Sequence, residues 1–267
     1  MATRVASIEA SSARRIGYYA SVVAGLALVV FGLGELLFLG VVGWLGESAL
    51  EEATEPGAGV HLFHLVAHAL FAWLLLICLV VQVRRPQRWF AAAVFAFAAM
   101  IIYSSGTLIA GIFDPLEAVA IVVLGAVAWL NPGREGARAA PLHRKALVAA
   151  IPLLVGAEVF AVGEINEQVS GLSSDPHVEF GHYGLMAAIA TISVVAALIG
   201  SSSLTGRRLV AGLASGSVTY LGILSLLFSD QTSSLGTVGG VLAIVVGFAF
   251  GLIALSRDRH GPNEAVS

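Results

Sequence analysis

Cysteine is almost absent from this 267-residue chain. The one thiol, Cys78, sits inside an apolar run, which excludes an internal disulfide and any multi-thiolate metal or iron–sulfur centre. Charge is scarce too: 12% of residues are Asp, Glu, Lys or Arg, against roughly 25% in an average soluble domain. Lysine is down to Lys145 alone, so thirteen of the 14 basic side chains are arginine. The chain has no P-loop, no dinucleotide-binding glycine fingerprint, no serine nucleophile elbow and no His-Glu-x2-His helix, and the enzyme classes that rest on those motifs have no foothold. Nothing in it suggests a nucleic-acid partner.

What is present is hydrocarbon. Hydrophobic residues make up 58% of the chain and the mean hydropathy is +0.91, which predicts an all-α integral membrane protein with lipid as its main surroundings. A span needs about 20 apolar residues. Eight runs serve: 16–45, 60–83, 89–113, 115–130, 146–163, 178–200, 209–228 and 235–255, the fourth and fifth being short. The first is too long for the core of a cleaved signal and is expected to be retained. Pro86, Pro132, Pro141 and Ser229-Asp230 fall between runs, Pro115 suits a first helical turn, and Pro152 is expected to kink the fifth helix.

The basic residues give the orientation. They fall as Arg4, Arg14 and Arg15; Arg84, Arg85 and Arg88; Arg134, Arg138, Arg144 and Lys145; Arg207 and Arg208; Arg257 and Arg259, always in alternate loops. The positive-inside rule then predicts both termini cytoplasmic and an even number of spans in the cell membrane. The opposite loops hold Glu47, Glu51, Glu52, Glu55, Asp114, Glu117, Glu164, Glu167, Asp175, Glu179 and Asp230, an acidic rim that would concentrate a cation or small molecule arriving from outside.

Polar landmarks recur in the same order in both halves. Glu35 and Glu158 are 123 residues apart, His68 and His182 are 114, Tyr103 and Tyr220 are 117, and Asp114 and Asp230 are 116. Four spans separate the copies, which predicts two parallel four-helix repeats. The expected organisation is a tail at 1–15, a first repeat at 16–131, a basic linker at 132–145, a second repeat at 146–255 and a tail at 256–267. Gly212-x3-Gly216 and Gly247-x3-Gly251 suit close helix packing.

Histidines at 61, 64 and 68 share one helical face at the start of the second run. Counting from the basic boundary at about 1.5 Å per residue puts His68, Glu158, Tyr103 and Tyr220 in the outer half of the bilayer, with His64, Glu35 and His182 nearer the outer surface. Ionisable groups there are costly and mark function. Glu35, His64, His68, Glu158 and His182 are therefore the candidate metal ligands, for a divalent Zn, Fe or Mn ion. Tyr103, Tyr220, Asp114 and Asp230 are candidates for proton transfer or for supporting the ligands, although interior tyrosines with satisfied hydroxyls would look the same. Water-facing His61, His177 as a helix cap after Asp175-Pro176, and His143 and His260 on the cytoplasmic side are expected to lie outside the site.

Three functions suit these residues. One is a membrane metalloprotein, with or without enzymatic chemistry. A second is a haem b electron carrier using His64 or His68 with His182. That arrangement resembles haem-handling membrane proteins such as haem A synthase in architecture; such proteins carry a His pair in each four-helix unit, whereas helices four and eight here contain none. The third is a cation or proton transporter that uses Glu158.

Overall fold

The structure, a computed structural model, describes residues 2–42, 44, 62–137, 142–172 and 175–256. The acidic loop 46–59, His61 and the tail 257–267 lie outside the described residues. All regular structure among the described residues is helical: α1 (Ala2–Ala27), a π-helical turn (Leu28–Gly32), α2 (Gly34–Val42), α3 (Leu62–Val80), α4 (Phe90–Ile109), α5 (Pro115–Leu130), α6 (Arg144–Ser170), α7 (Pro176–Glu179), α8 (His182–Gly200), α9 (Arg207–Leu227) and α10 (Gly236–Leu255). Seven of the described helices are long and apolar enough to cross a membrane; α5, at 16 residues, is apolar but shorter. Val122, Val159 and Phe248 present apolar side chains outward, the surface a lipid-embedded bundle needs.

Local chemistry explains the helix ends, including three that depart from the sequence expectation. Asp114 caps α5 by accepting from the Leu116 amide at 2.8 Å, with Pro115 in the first turn, and the predicted bounds hold. The first run is not one rod: the π-helical turn and Leu33 separate α1 from α2. The run 178–200 is also divided, because Gly181 adopts φ +70 and ends α7 before α8 begins. By contrast α6 is longer than the apolar run 146–163: Glu164 and Gln168 are buried on its last turns, so these polar residues extend the helix instead of ending it.

The helices form two rings. In the first half α1 and α2 pack on α3, α3 on α4, α4 on α5, and α5 returns to α1; in the second, α6 packs on α8, α8 on α9, α9 on α10, and α10 returns to α6. The halves meet chiefly where α4 crosses α8. A Cβ on Gly106 would stand 2.6 Å from the Gly184 carbonyl, and one on Gly184 would stand 2.8 Å from that of Gly106, so the crossing requires glycine on both sides. Gly247 and Gly251 do sit against Ser215 and Thr219 of α9, whereas Cβ atoms on Gly212 and Gly216 would meet nothing within 4 Å.

One end of the bundle gathers the basic segments. Arg14 pairs with Glu135 at 2.7 Å. Tyr18 donates to Gln82 Oε1 at 2.8 Å, and the Asn131 amide donates to the same oxygen at 3.0 Å; Gln82 donates onward to the Trp89 carbonyl at 2.9 Å. The Ala91 amide donates to Thr205 O, that of His143 to Ser201 O, and Arg207 to Ala254 O. Thus His143 lies at this end, as expected. The opposite end holds Asp114, Glu117, Glu164 and Asp175 together with the histidines.

Candidate functional site

Four histidines converge at the end opposite the arginines. His64 and His68 lie one turn apart on α3, His177 lies in the short α7, and His182 opens α8. One ligand atom from each of His64, His177 and His182 lies within 4.8 Å of the other two. The His64 and His182 rings stack with centroids 4.7 Å apart; His177 is 5.1 Å from His64, and His68 is 5.8 Å from His182. His64 is 1% exposed and His68 5%. The Nε2 atom of His68 is buried with no hydrogen-bond partner among the described residues, which is costly unless something binds it.

The chain reaches this geometry through one tight reversal. Asp175 caps α7, accepting from the His177 amide at 2.9 Å, and Pro176 fills the first position. Gly181 then turns the chain into α8. A Cβ there would stand 2.6 Å from Ala110 and 2.8 Å from Ile112, and its φ is left-handed besides, so both space and backbone demand glycine. The reversal sets His177 and His182 5.7 Å apart. Gln168 of α6 holds it in place by donating to Val178 O at 3.0 Å and accepting from the Gly184 amide at 3.1 Å.

Asp175 also acts on the site. Its Oδ1 lies 2.9 Å from His177 Nδ1 and its Oδ2 accepts from Tyr183 at 3.3 Å. A carboxylate only accepts, so the shared hydrogen resides on Nδ1, which in the neutral imidazole puts the ring's lone pair on Nε2. The backbone amide of His177, more than its ring or Tyr183, keeps the Asp175 carboxyl below the usual carboxylate range.

The other candidates go elsewhere. Glu35 is exposed on α2 and Glu158 half-buried on α6, and neither joins the three-histidine group. Tyr103 stacks on Phe71 at 4.0 Å and lines a separate 230 Å³ cavity with Asp114 and Glu117. Tyr220 accepts from Trp44 at 3.2 Å and donates to Val66 O at 3.0 Å, tying α9 to α3. Asp114 is a helix cap, and Asp230 is exposed with Ser229 donating to it. His177 is the member that sequence reasoning left out. It was expected to be a cap, but the cap is Asp175; the Asp-Pro pair was the available signal, because it fills the cap and first-turn positions itself and leaves the histidine at the second. Searches against family models, curated proteins and solved structures find no match for this chain.

Proposed function

We propose that this protein is a multi-pass cell-membrane metalloprotein that holds a divalent transition-metal ion with His64, His177 and His182 at the outer end of its bundle. The observation that carries the reading is the meeting of three ligand atoms from three helices, α3, α7 and α8. Donors around an ion with bonds of about 2.0–2.1 Å lie some 3–4 Å from one another, so small side-chain rotations suffice to bring atoms that already lie within 4.8 Å of one another onto an ion. His68, buried beside the group with an Nε2 that has no hydrogen-bond partner among the described residues, supports the same reading as a fourth ligand. The donors are imidazoles without a carboxylate among them, which favours Zn, Cu or Fe over Mn. Bound there, the ion would supply Lewis acidity; Asp175 would fix the His177 tautomer, and Phe63, edge-on to His64 at 5.6 Å, would keep water from one side. The rings crowd around one point from several directions, an arrangement that suits an ion better than the two open faces of a haem.

The finer architecture belongs to the same proposal. With α5 running from Asp114 at the acidic end to Asn131 at the basic end, the chain makes eight crossings with both termini cytoplasmic, and its two rings are parallel repeats. The site then faces outward, beneath an acidic rim that gathers cations from the medium.

Elemental analysis of detergent-purified protein from metal-supplemented cells tests this. The expected result is one transition-metal ion per chain, lost from His182→Ala; metal-free protein, or equal metal in the variant, would overturn it.

A further inference from the structure

The second ring encloses a chamber of about 370 Å³ between α6, α8, α9 and α10. An engineered apolar cavity of about 150 Å³ already takes up benzene and stays dry, so this chamber has room for a larger guest. Phe63, Ala157, Phe160, Met186 and Leu221 supply much of its wall. Three serines touch it, and each hydroxyl is already engaged in a hydrogen bond. Ser193 donates to Ile189 O at 3.1 Å, Ser233 donates to Glu164 at 2.6 Å, and Ser225 accepts from the Leu235 amide at 3.2 Å. Water, which needs two or more polar partners, has little to hold it there, and a polar ligand would lose bonds on entry.

Shape narrows the guest further. The lining runs from Pro152 to Phe160 on α6, from Val218 to Ser225 on α9 and from Leu235 to Val246 on α10. At about 1.5 Å per residue these stretches are roughly 10–16 Å long. An extended chain gains about 1.2 Å per bond, so roughly ten methylenes fill that length. Pro152, Gly156 and Leu242 belong to the lining yet are exposed on the bundle's outer surface, so the chamber opens sideways between α6 and α10 into lipid. The cavity of the first ring provides a contrast: it is smaller, at 230 Å³, and carries Tyr103, Asp114 and Glu117.

From this geometry we infer that the second ring binds a single linear hydrocarbon chain, drawn in from the bilayer between α6 and α10, as a site of its own. The assignment stands whether or not the histidines hold an ion. Gly156 provides the means to test it, because a side chain added there would meet nothing within 4 Å and would project into open space.

The full chain, in nanodiscs of phosphatidylcholine, is photolabelled with decanoic acid carrying a terminal diazirine, and the modified residues are mapped by mass spectrometry. Labelling is expected to concentrate on Phe160, Met186 and Leu221 and to fall several-fold in Gly156→Phe; Gly156→Leu serves if the larger side chain prevents folding. Labels spread equally over outward residues such as Val122 and Phe248, or chamber labelling unchanged by a folded variant, would overturn the assignment. Organic extraction of the purified protein then distinguishes a co-purified free acid from a phospholipid tail.

Discussion

Each half of the chain packs its helices in a closed ring, and the two rings spend their polar residues differently. The first ring closes its basic end with a buried knot, Tyr18, Gln82 and Asn131, and lines its own cavity with carboxylates. Among the described residues the second ring puts no carboxylate in the lining of its chamber, keeps its serines occupied with backbone and Glu164, and packs α9 on α10 through glycine. The histidines draw on both: His64 and His68 from the first ring, His177 and His182 from the entry to α8 in the second. The first half is tied by side-chain hydrogen bonds, the second holds the 370 Å³ chamber, and the histidines lie where the two meet. Because an ionisable group in lipid needs a partner, the junction is also where imidazoles from separate helices can be brought together at lowest cost.

The comparison would fail most visibly if the histidines did not need the second ring's support. Asp175→Asn keeps a good helix cap but replaces the acceptor at His177 Nδ1 with an amide that can donate. Loss of such an outer partner typically weakens metal binding by about 10–100-fold. Competition with a chromophoric chelator should show a fall of that size with the melting temperature nearly unchanged; unaltered affinity would separate Asp175 from the site.

The crossing of α4 and α8 is the next test. Gly106→Ala places a methyl 2.6 Å from the Gly184 carbonyl and 2.9 Å from Ala188. Overpacking of this kind costs about 1–3 kcal/mol, and because Gly184 is two residues from His182, the strain should appear both in thermal unfolding and in weakened metal binding. Gln82→Leu should separate those readouts. It removes the Oε1 that accepts from both Tyr18 and Asn131 and leaves them only the longer bonds to the backbone carbonyls of residue 82, at 3.5 Å, and Pro86, at 3.3 Å, a loss of about 1–2 kcal/mol in stability, with metal content unchanged. A loss of metal in Gln82→Leu would mean that the first ring is coupled from end to end.

Much of this arrangement could be read from the residues themselves. Alternating arginine-rich loops anticipate which segments share an end, and depth and helical face single out His64, His68 and His182, whose rings the fold brings close together. What escaped was set by tertiary contact. Glu164 and Gln168 resemble loop residues in sequence, but burial against Ser233 and the α7–α8 reversal keeps them in α6. Gly181 gives no periodic signal, so the break that swings His177 towards His182 was invisible. Glu35 and Glu158 satisfied the same depth argument as the histidines; depth fixes a level in the membrane, and only packing decides which way a side chain turns.

The smallest effect comes from the glycines of the second ring, and it separates packing from sequence pattern. Gly212-x3-Gly216 and Gly247-x3-Gly251 have the same spacing, yet only the latter lies against a neighbouring helix. Gly222 makes an equally close approach without belonging to either pattern: a Cβ there would stand 2.7 Å from Gly240 O and 2.8 Å from Ile244. Alanine at 212 relieves α9 of a glycine inside a helix without touching anything, and should stabilise by about 0.5–1 kcal/mol. Alanine at 222 must push α10 away and should destabilise. Melting curves of Gly212→Ala and Gly222→Ala in the same detergent should therefore shift in opposite directions. A shared sign would mean that α9 and α10 are not held at the separation that gives the second ring its chamber.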